Sequence, residues 1–165
     1  MTTDQILDDV LTREGGYVDH PLDRGSCTNY GITIYALADW RGRTVTCEDV
    51  RALSREEALA IYRELYVRRP GFEAVADGRL RGLLVDFGVH SGPRAAIRAL
   101  QAAIGVKADG ILGSQTIAAL NASDAARIYR IVLQARMSYI AGILQRDPSQ
   151  RVFAAGWLRR LAEFI

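Results

Sequence analysis

The sequence predicts a mainly α protein with a single short polar hairpin, and three observations carry that prediction. Apolar residues recur at i, i+3/i+4 and i+7 through most of the chain. Capping residues stand ahead of these runs, with glycine or proline behind them. Only between Tyr17 and Ile34 does the density of Gly, Pro, Asp, Asn, Ser and Thr exclude a long helix. With 165 residues, 49% of them hydrophobic and 24% charged, the chain suits one compact domain, or a main domain with a small subdomain.

Taken in order, Thr3 or Asp4 caps a first helix whose buried stripe is Ile6-Leu7 and Val10-Leu11, ending at Gly15-Gly16. Tyr17-Val18 and Gly31–Ile34 are the candidate strands of the hairpin. Helical patterning resumes over Thr33–Trp40, and Thr46 caps a short helix through Leu53. Ser54-Arg55-Glu56-Glu57 reads as a capping box for a helix through Ile61, Leu65 and Tyr66 that stops before Pro70. Leu80–Val89 is apolar enough to be a central buried helix. Ser91-Gly92-Pro93 breaks it, and Pro93 suits the first turn of Arg94–Ile104. Asp109–Gly113 is a turn and Ser114 caps Gln115–Leu120. Ser123 or Asp124 caps a long helix to about Gln145, with Ile128, Ile131, Val132, Ala135, Tyr139 and Ile143 expected inward. A last helix carries Phe153, Trp157, Leu158 and Leu161, for eight or nine helices in all.

The net charge of +2 conceals an asymmetry: residues 1–90 hold 11 Lys/Arg and 15 Asp/Glu, and residues 91–165 hold 10 and 4. A basic second half suits an anionic polymer, but no aromatic-interleaved basic cluster or zinc-finger spacing selects nucleic acid. No run approaches the roughly 18 apolar residues of a membrane span. The start Met1-Thr2-Thr3-Asp4 lacks a basic and an apolar region, so no signal peptide is expected. Cys27 and Cys47 make no disulfide framework; they could pair, but two free thiols from a reducing compartment are the expectation. No metal or cofactor is implied: His20 and His90 stand alone, and no phosphate loop, dinucleotide fingerprint or serine elbow is present.

The chemistry concentrates around Glu14. Its spacing from Leu7 and Val10/Leu11 puts a carboxyl on the buried face of the first helix, in the last turn. Backbone dipoles and desolvation there favour the protonated form, as a proton donor near neutral pH requires. Gly15-Gly16 lets the chain turn close by, and nine residues on Asp23 lies in a wetter loop with Thr28. Glycoside hydrolysis needs such an acid and a second group on the opposite face of the sugar. A merely exposed helix-end glutamate is the bland alternative.

The run Glu14-Gly15-Gly16-Tyr17-Val18, Pro21, Asp23, Gly25 and Thr28-Asn29-Tyr30-Gly31-Ile32-Thr33 resembles the signature of glycoside hydrolase family 108. These are bacteriophage endolysins and secretion-associated muramidases with a lysozyme-like fold. The resemblance implies Glu14 as the catalytic glutamate. The Glu…Asp…Thr pattern is also similar to phage lysozymes of the bacteriophage T4 kind, implying Asp23 as water-activating base and Thr28 as water-positioning hydroxyl. Thr28 comes one residue earlier than in that pattern, with Asn29 the alternative, and Gly25-Ser26 stands where the family has Gly-Gly. Tyr17 and Tyr30 flank the site as sugar platforms or as staples to the core. In the second half, Ala99-Leu100-Gln101, Gly105, Asp109-Gly110, Gly113, Thr116 and Ala119-Leu120 resemble the family's predicted peptidoglycan-binding region. Phe153–Arg160 resembles its Gly-Trp…Arg ending, with Trp157 read as core more than platform. Asp109 and Gly110 are candidate substrate contacts, although a tight turn explains them as well.

These resemblances imply a catalytic region over 1–91 and a helical wall-binding region over 92–165. The expected activity is an N-acetylmuramidase cleaving the β-1,4 bond between N-acetylmuramic acid and N-acetylglucosamine, as a monomer acting on peptidoglycan. If Asp23 is the base, the two carboxyls lie about 6.5–9.5 Å apart and the anomeric centre inverts. Without a signal peptide, access to the wall would come through a holin or a dedicated export route. The rival readings are a lytic transglycosylase, a non-catalytic wall-binding protein and a helical DNA-binding protein.

Overall fold

The computed structural model describes residues 1–18 and 27–165. The fold is mainly α: nine α-helices and one two-stranded antiparallel sheet among the described residues, in two compact units, 1–69 and 70–165.

In the first unit, helix α1 (Thr3–Glu14) is opened by Thr2, whose side chain accepts from the Gln5 amide while the Gln5 side chain accepts from the Thr2 amide. This reciprocal box sits one residue ahead of the expected caps. Ile6, Leu7, Val10 and Leu11 are buried, and α1 packs on α4 (Arg55–Arg63). At about 1.5–3 kcal/mol per fully buried large aliphatic side chain, that stripe outweighs the exposed Asp8–Arg55 and Asp4–Arg63 pairs beside it. Helix α4 starts at Ser54, whose hydroxyl accepts from the Glu57 amide, and runs into a π-helical turn, Glu64–Arg68.

The hairpin pairs differently from the expectation. Strand β1 (Thr28–Asn29) meets β2 (Ile32–Thr33), and Val18 bridges Thr28 from the other side. Tyr30-Gly31 forms the connecting turn with φ of 51° and 70°, the positive pair that a tight type I′ hairpin turn needs. A two-residue turn fixes the register locally, so Gly31 is a turn residue rather than part of a strand. Helix α2 (Ile34–Arg41) follows directly, capped by Thr33, and α3 (Cys47–Arg51) is opened by a Thr46/Asp49 box. The Arg41 guanidinium ties α2 to α4 through both Glu57 oxygens and to α3 through Asp49. The hydrogen bonds from Arg41 hold the Glu57 carboxyl below the usual range.

Cys27 and Cys47 are joined in a disulfide with Cα atoms 5.6 Å apart, which overturns the expected free thiols. Composition alone could not show that the hairpin brings Cys27 to the first turn of α3.

In the second unit, α5 (Gly78–Ser91) is capped by Asp77 and buried at Leu80 and from Gly82 to Gly88, with α6 (Pro93–Ala103) and α8 (Ala125–Arg146) packed on it. Gly88 faces the start of α6, where an added Cβ would stand in ordinary van der Waals contact, 3.4 Å from Pro93 Cα. Helix α7 (Ser114–Asn121) is preceded by Gly113 and has no side-chain cap, so Ser114 is its first residue rather than its cap. The buried row of α8 is Ile128, Val132, Arg136 and Ile140, while Tyr139 is 38% exposed. The predicted stripe omits Arg136 because an apolar count excludes a charge; Asp86 on α5 supplies the partner that lets it face inward. After a 3-10 turn (Pro148–Phe153), α9 (Ala154–Ala162) buries Leu161, whereas Phe153 and Leu158 are exposed.

Candidate active site

Glu14 ends α1, and Gly15 leaves the helix at φ 80°, a conformation that suits glycine. The glutamate is half-buried. Its carboxyl lies against the hairpin turn: a Cβ placed on Gly31 would stand 2.9 Å from Glu14 Oε2 and 2.8 Å from Tyr62 Oη. The carboxyl and the phenol therefore converge on the one position of the turn that has no side chain. Tyr62 is 3% exposed and donates to the Tyr30 carbonyl at 2.9 Å. Its ring stacks on Tyr66, centroids 5.2 Å apart. Burial, and next the nearby Glu14 carboxylate, raise the Tyr66 phenol above its ordinary pKa.

Strand β1 is fastened at both ends of α3. The Cys27–Cys47 bond holds the first turn of that helix, and the Asn29 amide donates to the Val50 and Arg51 carbonyls at 3.1 and 3.3 Å at its other end. Asn29 is 6% exposed, so its amide caps a helix terminus from inside the unit. Strand alternation puts neighbouring Thr28 on the opposite, half-exposed face. Its backbone is consumed by two 2.8 Å bonds to Val18. The Arg51 guanidinium lies 4.6 Å from the Tyr17 ring centroid, stacking that ring onto the end of α3. Tyr30, at φ 51°, stands in a region that bulky residues rarely occupy. Asp23, with Pro21, Gly25 and His20, lies outside the described residues.

Glu14, Thr28, Asn29, Tyr30 and Tyr17 thus all belong to one assembly in residues 1–69. Tyr62 and Tyr66 join it, and sequence reasoning misses them as site residues, reading Tyr66 only as a helix position. The available signal is their spacing of four, which places two phenols on one helix face.

Asp109 and Gly110 belong to the second unit and to a different construction. The buried Gln101 side chain donates to Asp109 Oδ1 (2.8 Å), the Ile111 carbonyl and Thr116 Oγ1, and accepts from the Gly110 amide. Gly110 takes φ 79° with Arg94 and Arg98 against it. The Gln101 hydrogen bond, followed by that of the Ile111 amide, holds the Asp109 carboxyl below its usual range. These polar groups knit the turn to α6. Among the described residues no cluster of three His, Cys, Asp or Glu has metal-holding geometry, and no helix is long and apolar enough to cross a membrane.

The first unit thus presents a half-buried carboxyl at a helix end, pressed on a constrained hairpin turn. The glycosyl hydrolase 108 profile matches residues 7–92 and that of a predicted peptidoglycan domain matches residues 95–162. The solved structure of Brucella abortus SagA is 35% identical, with a TM-score of 0.84 over 98% of this chain and 90% of that one. None of the curated proteins matches. The chain belongs to the glycosyl hydrolase 108 family and carries a predicted peptidoglycan domain behind the hydrolase region.

Proposed function

We propose that the protein is an N-acetylmuramidase of the endolysin type, cleaving the β-1,4 bond between N-acetylmuramic acid and N-acetylglucosamine with inversion. Glu14 gives its proton to the glycosidic oxygen as the C1–O bond breaks. Water, relieved of a proton by Asp23 and oriented by the Thr28 hydroxyl, adds to C1 from the opposite face. Tyr17, Asn29 and Tyr30 shape the sugar side of the site, Asn29 through the strand it anchors. Residues 1–91 act as the catalytic region and 92–165, through the turn at Asp109-Gly110, as the wall-holding region. The observation that carries the reading is the Glu14 carboxyl lodged against Gly31 in a chain of this family.

The test is turbidity loss of purified sacculi. Glu14→Gln removes the proton with little change of shape, and the expected loss is on the order of 10²–10⁴-fold, the usual weight of general acid catalysis. Equal rates for the two proteins would sink the assignment. Reducing-end products, with no anhydro-muropeptides by mass spectrometry, would distinguish hydrolysis from transglycosylation. The same reading puts the enzyme to work at the cell wall, as a monomer, after release through a holin or a dedicated export system. Expression should lyse cells only when a pore-former is supplied.

A further inference from the structure

We infer that Tyr62 is a positioning residue for the acid: its hydroxyl clamps the Tyr30-Gly31 turn so that the turn backbone sets the place of the Glu14 carboxyl, and Gly31 is the residue that makes room for it. This rests on Glu14 being the acid. Four observations bear on it, all within residues 1–69.

Tyr30 holds φ 51°, a strained conformation for a bulky residue that persists only where surroundings enforce it. The Tyr62 hydroxyl, donating to the Tyr30 carbonyl at 2.9 Å from a ring only 3% exposed, is an enforcing contact of that kind. At the next residue, Gly31, the Cα is approached by Tyr62 Oη and Glu14 Oε2 together, so phenol, turn and carboxyl form one packed column. Finally, Tyr62 is itself fixed. It stacks on Tyr66, four residues on in the π-turn, whose phenol lies within reach of the Glu14 charge. Such π-turns are rare and concentrate at functional sites. Any buried phenol needs an acceptor for its hydroxyl; here the acceptor is the carbonyl of a strained residue, and the same oxygen faces Gly31 together with the carboxyl.

Two substitutions separate positioning from support. Tyr62→Phe keeps the ring and its stack but releases the turn. Gly31→Ala puts a methyl against Tyr62 Oη and Glu14 Oε2, at a φ of 70° that also strains the turn backbone, so its folded fraction is measured before its rate. Initial rates on sacculi are taken well below the melting temperature and normalised to the folded fraction by circular dichroism. Tyr62→Phe is expected to lower kcat by roughly 10–100-fold, the scale of a 1 Å misplacement, with KM and pull-down by sacculi within about twofold. Gly31→Ala is expected to approach the loss seen in Glu14→Gln. Wild-type kcat in folded Tyr62→Phe overturns the inference. Should Tyr62→Phe not fold, Gly31→Ala decides: a folded protein with undiminished kcat overturns it. If Glu14→Gln retains activity, the functional reading fails first; if it is inactive while both variants keep kcat, only the clamp fails.

Discussion

In residues 1–69 the decisive polar groups are aimed at backbone: the half-buried Glu14 at Gly31, and the buried Tyr62 and Asn29 at the Tyr30 carbonyl and the end of α3. In residues 70–165 they are sealed, and the charged ones are aimed at one another. Asp86, 1% exposed, accepts a 2.5 Å bond from the fully buried Arg136 and two bonds from Arg160 Nε. Gln101, also 1% exposed, satisfies a whole turn by itself. The chemical vocabulary overlaps and the use differs. A carboxyl that must exchange a proton with a substrate keeps access to water, whereas one flanked by two guanidinium groups holds its charge and serves the scaffold.

If that contrast is right, Asp86 variants should damage stability far more than any site variant. Asp86→Asn removes the negative charge that the buried Arg136 and the part-buried Arg160 share, and breaking a buried pair this way costs about 3–5 kcal/mol. For a chain of this size that lowers Tm on the order of 10 °C, readable by calorimetry. Glu14→Gln and Tyr62→Phe should move Tm much less while moving kcat far more. A stable Asp86→Asn protein would erase the distinction between the units.

The next effect belongs to the first unit. The Cys27–Cys47 bond joins residues 20 apart, worth about 3 kcal/mol in the chain-entropy account. Reduction by dithiothreitol, or Cys27→Ala with Cys47→Ala, should lower stability by that amount and release one end of β1 from α3. Amide exchange should then quicken at Thr28 and Val18, whose two mutual bonds depend on β1. Unchanged exchange there would show that Asn29 alone suffices to anchor the strand.

Much of this architecture is legible in the amino-acid sequence, and the failures have physical causes. Local rules work where local forces decide: the stripe of α1, the buried α5, Pro93 opening α6, Asp124 capping α8. They fail where a distant residue decides. Arg136 looks like a surface cation until Asp86, 50 residues earlier, is brought to it. Cys27 and Cys47 look like free thiols until the hairpin is folded against α3. Tyr62 goes unnoticed in the sequence, and only its bond to a carbonyl 32 residues back reveals what it holds. At the site, a carboxyl at the end of α1 is readable from the periodicity of Ile6, Leu7, Val10 and Leu11. The turn that confines it is not, because the residue pattern assigns Gly31 to a strand.

The smallest expected effect is a pH slope from His90, and it tests whether the second unit excludes protons as well as water. His90 sits in the last turn of α5, where the helix dipole favours an imidazolium. The opposite happens. Burial first, then the charges of Arg136 and Arg160, push its pKa from 6.5 down to about 4, against a weaker pull from Asp86. The ring stays neutral, with Nδ1 2.9 Å from Ser91 Oγ and its edge on Trp157. Between pH 6.5 and 4 the unfolded chain therefore binds a proton that the folded chain refuses, so stability falls as pH falls through that window and this contribution flattens below it. Burial alone would raise the Asp86 carboxyl, but Arg160 and Arg136 hold it below the usual carboxylate range, so its own loss comes at lower pH. Thermal melts from about pH 7 to 4 should show Tm declining in the wild type, with His90→Phe removing that part of the decline while leaving the drop at still lower pH. A slope that survives the substitution would place the proton uptake elsewhere, and the second unit would then be sealed against charge only at Asp86.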